Sequence, residues 1–291
     1  MTTTLLDSLL YKIVPNISKK DASIVKDKII LCNRETLAKN LLKIDKIIKP
    51  YWKNKTEGRQ NWICNQITNF FNQQQIPIPS SFIDIGGGNG NVLYYFATKY
   101  NLKPDDCFCV EREPPPVKTI SQCPDNNEFY YTFSHSNEMK YMFVKEDVEY
   151  DSKLLSQGLK QVECIICMVA LHHMTDAYIG NVIFPLIKSK LKPGGLLLLK
   201  EHNVADAETH KIVEWEHHLY YLMEQSYSRT EREITEYLST TMTNYKSRET
   251  FTKGIETRCQ CKCIYTLTNT FEIGKLDKTP SKLYWQIFQK Q

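Results

Sequence analysis

Phe82-Ile83-Asp84-Ile85-Gly86-Gly87-Gly88-Asn89-Gly90-Asn91-Val92-Leu93-Tyr94-Tyr95-Phe96 carries an apolar strand into a cluster of glycines and straight out into a helix. Glycine lets the backbone turn sharply there, and it lets a ligand approach the main chain without meeting a Cβ. The stretch therefore predicts a nucleotide-type cofactor held by Gly86, Gly87, Gly88 and Gly90, with Asp84 just before the turn. Glycines at 86, 88 and 90 read Gly-x-Gly-x-Gly, whereas a dinucleotide fingerprint needs its third glycine one place later, where Asn91 stands. NAD is the weaker reading. The next apolar run ends Cys109-Val110-Glu111. A carboxylate at the neighbouring strand tip accepts hydrogen bonds from both hydroxyls of a ribose, so Glu111 is the expected sugar clamp.

Outward from this turn the pattern is strand and helix in alternation. Phe82 to Ile85, Cys107 to Val110, Glu163 to Val169 and Gly195 to Leu199 read as strands, separated by helix-length segments. That order predicts an α/β fold with a parallel sheet covered on both faces. Cys259 to Thr266 and Lys282 to Phe288 are β-rich and predict a closing antiparallel hairpin. Upstream, residues 3–14, 20–31, 35–49 and 57–73 show helical spacing; in the third, Leu37, Leu41, Ile44 and Ile48 make the stripe. We therefore expect a helical arm over residues 1–56 and an α/β domain over 57–291.

The composition of the 291 residues, 42% hydrophobic and 24% charged, is that of a chain that builds a core. Its longest apolar runs, Cys164 to Leu171 and Gly194 to Leu199, are strand-sized and far below the ~20 residues of a membrane span. Met1-Thr2-Thr3-Thr4-Leu5-Leu6-Asp7 lacks the basic and apolar sequence of a secretory signal, so a reducing, cytoplasmic setting is expected. The ten cysteines fit that setting. Five of them, Cys107, Cys109, Cys259, Cys261 and Cys263, alternate inside β-prone runs, and the one Cys-x-x-Cys, Cys164-Ile165-Ile166-Cys167, has no second pair at zinc spacing, so buried free thiols are expected. His202, His210, His217 and His218 would be spread by a helix from about residue 207 over several faces, so no metal is expected. Charge is uneven: residues 1–60 hold 13 Lys and Arg against 6 Asp and Glu, a net +7, while the whole chain is only +4. A basic segment before a mildly acidic body suggests an extended polyanion on one side, with Lys53, Lys55 and Arg59 as phosphate contacts; the plainer reading is a solvated helical surface.

Further stretches narrow the family. The apolar run Glu163 to Val169, then Leu191-Lys192-Pro193-Gly194-Gly195-Leu196 leading into another strand, and the terminal hairpin follow in the order found in class I S-adenosylmethionine-dependent methyltransferases, which the chain resembles from about residue 57 to its end. That resemblance implies a Rossmann-like, seven-stranded sheet, S-adenosyl-L-methionine as cofactor across the strand tips, and adenine near Asp147. Gly58-Arg59-Gln60-Asn61-Trp62-Ile63, Val169-Ala170-Leu171-His172-His173 and Leu283-Tyr284-Trp285-Gln286-Ile287-Phe288-Gln289-Lys290-Gln291 are similar to three segments of messenger-RNA cap guanine-N7 methyltransferases. Cys64, His173 and Lys200-Glu201-His202-Asn203 depart from that pattern and suggest a divergent branch, such as the capping enzymes of large cytoplasmic DNA viruses of the African swine fever virus type.

On that resemblance the substrate is capped RNA, with a guanylyltransferase domain or subunit as partner, and the setting is cytoplasmic, in a virion or a viral factory. Guanine N7 has no proton to remove, so catalysis needs alignment and negative groups near the base as it becomes cationic. The resemblance then implies His172 and His173 beside the sulfur, Tyr284 against the guanine, Glu201 or Glu216 at its N1 and N2 edge, and Asn61 within reach of the cofactor. Rival readings are a cap 2′-O-methyltransferase, in which Lys200 would fill a lysine position but Cys167 or Met168 stands where an aspartate is needed, a small-molecule methyltransferase, and a cofactor-binding subunit that stimulates a partner.

Overall fold

Phe82–Ile85 forms β1, and its four side chains are all buried, as a central strand covered on both faces requires. The computed structural model describes residues 3–52, 59–87, 90–111, 140–143, 159–240, 244–267 and 283–291. Around β1 the sheet has seven strands in the order β3-β2-β1-β4-β5-β7-β6. They are β2 (Cys107–Glu111), β3 (Lys140–Phe143), β4 (Val162–Met168), β5 (Leu191–His202), β6 (Cys261–Leu267) and β7 (Leu283–Lys290). β1 runs parallel to β2 and β4, β2 to β3 and β4 to β5, whereas β6 and β7 pair antiparallel. This is the α/β fold with terminal hairpin that the sequence predicts.

Period-two alternation sorts the sheet into two faces. Ile83 and Ile85, Ile165 and Cys167, Leu197 and Leu199, and Tyr284 and Phe288 enter one core. Phe82, Cys164 and Ile166, Leu196 and Leu198, and Trp285 and Ile287 enter the other. Helices α4 (Arg59–Gln73) and α5 (Asn91–Tyr100) cover the second face with Cys64, Ile67, Phe71, Leu93 and Phe96. The first is covered by α6 (Phe184–Lys190) and α9 (Arg248–Cys259) through Phe184, Leu186, Ile187, Phe251 and Ile255.

Two stretches differ from expectation. Strand β5 begins at Leu191, four residues before the predicted Gly195, because Gly194 takes a left-handed φ of +78° that keeps the turn within the strand. Cys259 closes a helix instead of opening a strand; Gln260, with φ of +56°, breaks the chain direction and β6 starts at Cys261. Helix α9 escapes sequence reading because its buried stripe is only Phe251, Ile255 and Cys259. The nine described cysteines are free thiols. Burial pushes Cys64, Cys107 and Cys259 up to about 12 and Cys261 to about 11, so they stay protonated and unreactive at neutral pH.

The chain divides into two compact units. The sheet and its helices, from 56–201, 248–270 and 283–291, form one. The other joins the N-terminal residues up to 55 with 202–247. In it α1 (Thr3–Ile13), α2 (Lys19–Ile30) and α3 (Leu37–Ile48) share a core with α7 (Ala207–Met223) and α8 (Glu231–Thr240), built on Leu6, Leu10, Ile13, Val25, Leu41, Ile44, Ile48, Trp215, Leu219 and Ile234. The N-terminal helices are thus part of a helical unit and not an arm standing alone. Ser18 caps α2 by accepting from the Asp21 peptide N–H at 3.0 Å, and Asp206 caps α7 through the Thr209 N–H at 2.7 Å. Several basic residues of the N-terminal run have partners inside this unit. Lys12 pairs with Glu216 at 3.1 Å, Lys26 with Asp7 at 2.6 Å, and Lys49 with the fully buried Asp45 at 3.1 Å. No helix among the described residues is long and apolar enough to cross a membrane.

His218 on α7 is 5% exposed, with Nδ1 3.0 Å from the Tyr237 hydroxyl, and burial pulls it down to about 4. Between the ordinary 6.5 and about 4, the unfolded chain takes a proton that the folded chain refuses, so stability falls as pH drops through that window. The loss amounts to at most roughly 3 kcal/mol. Urea unfolding at pH 7 and pH 4.5 should show this slope in the parent protein and a flatter one in His218→Phe; parallel slopes would refute it.

Candidate active site

Beyond Ile85 the chain bends at Gly86, whose φ of +67° suits glycine and whose peptide N–H donates to the Val110 carbonyl at 2.8 Å. The bend lies between β1 and β4, on either side of which strand order runs in opposite directions, the place where open α/β sheets bind ligands. There is no room for side chains. A Cβ on Gly86 would sit 2.5 Å from the Ala170 Cβ, and one on Gly87 would sit 2.5 Å from Asp84 Oδ2 and 2.9 Å from Cys109 Sγ. Asp84, 2% exposed, thus lies directly beneath the bend. Gly90, at φ +72°, then starts α5. Bare main chain above a buried carboxylate is a cradle that suits a nucleoside with an amino-acid end, because polar ligand atoms can reach peptide groups unobstructed.

The floor opposite is the end of β4. Val169 holds φ of +58°, which a β-branched side chain resists at a cost on the order of 1–3 kcal/mol. It is kept there by donating its N–H to the Lys200 carbonyl at 2.7 Å. The forced turn brings Ala170 against Gly86 and starts the tight Leu171–His173 turn. His172 is fully buried, and its Nδ1 lies 2.7 Å from Glu201 Oε1 on β5, whose side chain is also fully buried. The His172 peptide N–H reaches Oε2 of the same carboxylate at 3.4 Å. A carboxylate on Nδ1 fixes the ring's orientation and tautomer, so that the neutral ring carries its proton there and its basicity at Nε2. His173 beside it is exposed, with ring centroids 4.0 Å apart.

The other predicted residues fall as follows. Glu201 follows Leu197 and Leu199 on the inner face of β5, so it turns to His172 and not to a guanine edge. Tyr284, expected against the acceptor base, is 1% exposed in the same core. Its hydroxyl is buried without a hydrogen-bond partner among the described residues, and burial, with the Glu201 carboxylate adding to it, pushes its phenol well above the ordinary value. Glu216 lies in the helical unit, 7% exposed and paired with Lys12. Glu111 ends β2, in register with Phe143 of β3, and Arg59 and Asn61 lie in the first turn of α4. Lys53, Lys55, Gly88 and Asp147 lie outside the described residues. The histidines are less dispersed than the sequence suggests: the rings of His202, His210 and His217 all lie within 5.8 Å of that of Tyr245, since His210 and His217 are two turns apart on α7, whereas His218 turns to Tyr237. Ala170, Cys109 and Val169 shape the cradle; Val169 and Ala170 stand in one of the family-like segments, but nothing local marks any of the three as packing at the bend.

A family model described as a methyltransferase domain matches residues 55–241, more than half of the chain. The chain belongs to that family; it is a class I methyltransferase, and its methyl donor is S-adenosylmethionine. Comparison with curated proteins gives no match. Among solved structures, the plantazolicin methyltransferase BpumL, crystallised with a pentazolic desmethylPZN analogue and SAH, is 12% identical over 92% of this chain and 98% of its own, with a TM-score of 0.49. A SAM-dependent methyltransferase from Archaeoglobus fulgidus is 12% identical over 81% and 96%, with a TM-score of 0.44, and the mitomycin 7-O-methyltransferase MmcR is 11% identical over 93% and 67%, with a TM-score of 0.47.

Filling the cradle should separate binding from folding. Gly87→Val places its branched side chain onto Asp84, and calorimetry with S-adenosylhomocysteine should show at least a tenfold loss of affinity, roughly the 1.4 kcal/mol that one lost contact costs, with a cooperative melt retained. Undiminished binding would show that the nucleoside does not lie on this bend.

Proposed function

We propose that the chain transfers the methyl group of S-adenosylmethionine to a hydroxyl of a small-molecule acceptor, with His172 as general base and Glu201 as the residue that positions it. The 2.7 Å contact between these two buried side chains carries the reading. An acceptor that must lose a proton needs a base held at one angle, and an oriented imidazole meets that need. Guanine N7 does not: its lone pair is available without deprotonation. Bound in the cradle, the donor supplies a methyl group on a positively charged sulfur.

The chain's own residues do the rest. The main chain at Gly86 and Gly87 leaves room for the donor, and Ala170 packs the β4 turn against it. Glu201 holds the His172 ring, and Nε2 takes the acceptor proton as the oxygen attacks; the imidazolium so formed is stabilised by the carboxylate at Nδ1.

A cap guanine-N7 methyltransferase working beside a guanylyltransferase is the second reading, favoured by the +7 charge of residues 1–60 and by the similarity of three short segments. It loses ground where Glu201 and Tyr284, its proposed guanine contacts, are taken up in the core. Incubation with methyl-labelled donor, in parallel with a panel of phenols and aliphatic alcohols and with GpppRNA followed by digestion, decides between them. Label on an oxygen supports our reading, and label as N7-methylguanosine replaces it with the second. On the acceptor so found, Glu201→Gln should lower kcat on the order of 10²- to 10⁴-fold, with S-adenosylhomocysteine affinity unchanged. Equal loss of affinity and rate would leave Glu201 only a structural part.

A further inference from the structure

Helix α3 of the helical unit shows solvent a face made of one residue type. Its exposed residues are Lys39, Lys43 and Lys46 and no others. At 3.6 residues per turn the three fall within roughly 60° of one another, in a row about 10 Å long. Leu41, Ile44 and Ile48 occupy the opposite side and are buried in the core of the unit, so their packing points the lysines outward. The one acid of α3, Asp45, is fully buried and paired with Lys49, and does nothing to relieve the row. Elsewhere in the unit Lys12 and Lys26 also pair with carboxylates. Among the described residues no ion pair or hydrogen bond falls to the ammonium groups of Lys39, Lys43 and Lys46.

The helix itself gives no reason for this arrangement. Lys39 and Lys43 stand four residues apart, and like charges at that spacing destabilise a helix. Lys39 is also in the first turn, where the unpaired peptide N–H groups already make the end positive; no acid offsets it there, and Thr36 supplies no side-chain cap. Only Lys46, in the last turn, stands where the helix dipole favours a cation. A face that served solubility alone would interleave acids with its lysines at this spacing. One that is costly as free surface gains when an anion covers it.

We propose that Lys39, Lys43 and Lys46 form a docking face for the phosphate backbone of a single-stranded nucleic acid. Charge complementarity selects the occupant. Three cations in one row match the repeated charges of one strand, and lysine meets a phosphate as a point charge without reading the base. An anionic membrane suits the face less, because α3 has no exposed apolar residue to insert. A phosphopeptide is best held by the planar fork of arginine, which the row lacks. The inference goes beyond the methyl-transfer reading and stands whichever acceptor is methylated.

Fluorescence anisotropy with a labelled single-stranded oligoribonucleotide, repeated over a series of salt concentrations, tests it without any methyl donor. Each phosphate neutralised on a single strand adds ~0.7 to the slope of log affinity against log salt. Lys39→Gln, Lys43→Gln and Lys46→Gln together should therefore lower the slope by about 2, and each alone by about a third of that. The triple Lys→Arg variant keeps the charge and should retain the parent's slope. The triple Gln variant should melt no lower than the parent, since repulsion along α3 is relieved, and the single variants carry the test if it does. A parent that does not bind the oligonucleotide, a slope that the Gln replacements leave unchanged, or a slope lost equally in the Arg variant overturns the proposal. So does preferential binding of polyglutamate or of anionic phospholipid vesicles over the oligonucleotide.

Discussion

Gly86 against Ala170 is the contact on which the site depends. Two strand ends, β1 and β4, meet there so closely that a single methyl group on Gly86 would land 2.5 Å from the Ala170 Cβ. Close approach has a cost on each side. Gly86 and Gly90 take left-handed angles that glycine tolerates, and Val169 takes one that its own branched side chain opposes. The hydrogen bond from Val169 to the Lys200 carbonyl holds the strained turn in place, which ties β5 to the same junction. Cradle, turn and neighbouring strand are therefore one mechanical element.

From that junction the chemistry divides by parity. Lys200 and Glu201 are adjacent in the chain, and the pleat sends them to opposite faces. Glu201 meets His172 and lies near Tyr284 on one side; Lys200 meets Trp285 on the other. A one-residue slip of β5 would turn Glu201 away from His172 and Lys200 away from the indole, so the register with β4, fixed by Leu196 to Leu199 opposite Cys164 to Cys167, sets these contacts as well as the packing. Placing the charges on separate faces also keeps the Lys200 ammonium from competing with His172 for the Glu201 carboxylate.

The helical unit shows how a charge count misleads when partners are unknown. The N-terminal basic run reads as a polyanion path, yet Lys12, Lys26 and Lys49 each meet a carboxylate within the unit, and Lys49 also donates to the carbonyls of Leu222 and Gln225. Asp45, fully buried, accepts from the Arg229 peptide N–H at 2.9 Å as well. These contacts join residues far apart in sequence, so no local pattern announces them, and they turn part of an apparent binding surface into internal structure.

Local sequence determined the α/β alternation, the closing hairpin, the helical stripe of α3 and the glycine bend, because each of these arises from a period of two or 3.6 residues or from a residue type that alone permits a backbone angle. It also brought His172, Glu201 and Tyr284 into consideration, but it set His172 beside the donor sulfur and Glu201 and Tyr284 against an acceptor base. Tertiary structure decided their occupations: burial turned Glu201 and Tyr284 inward, and strand pairing put Glu201 on His172. It likewise decided that Lys200 and Trp285 are neighbours and that the N-terminal helices share a core with α7 and α8. Periodicity gives the direction a side chain leaves its own element, whereas what it meets depends on which distant strand or helix is packed there.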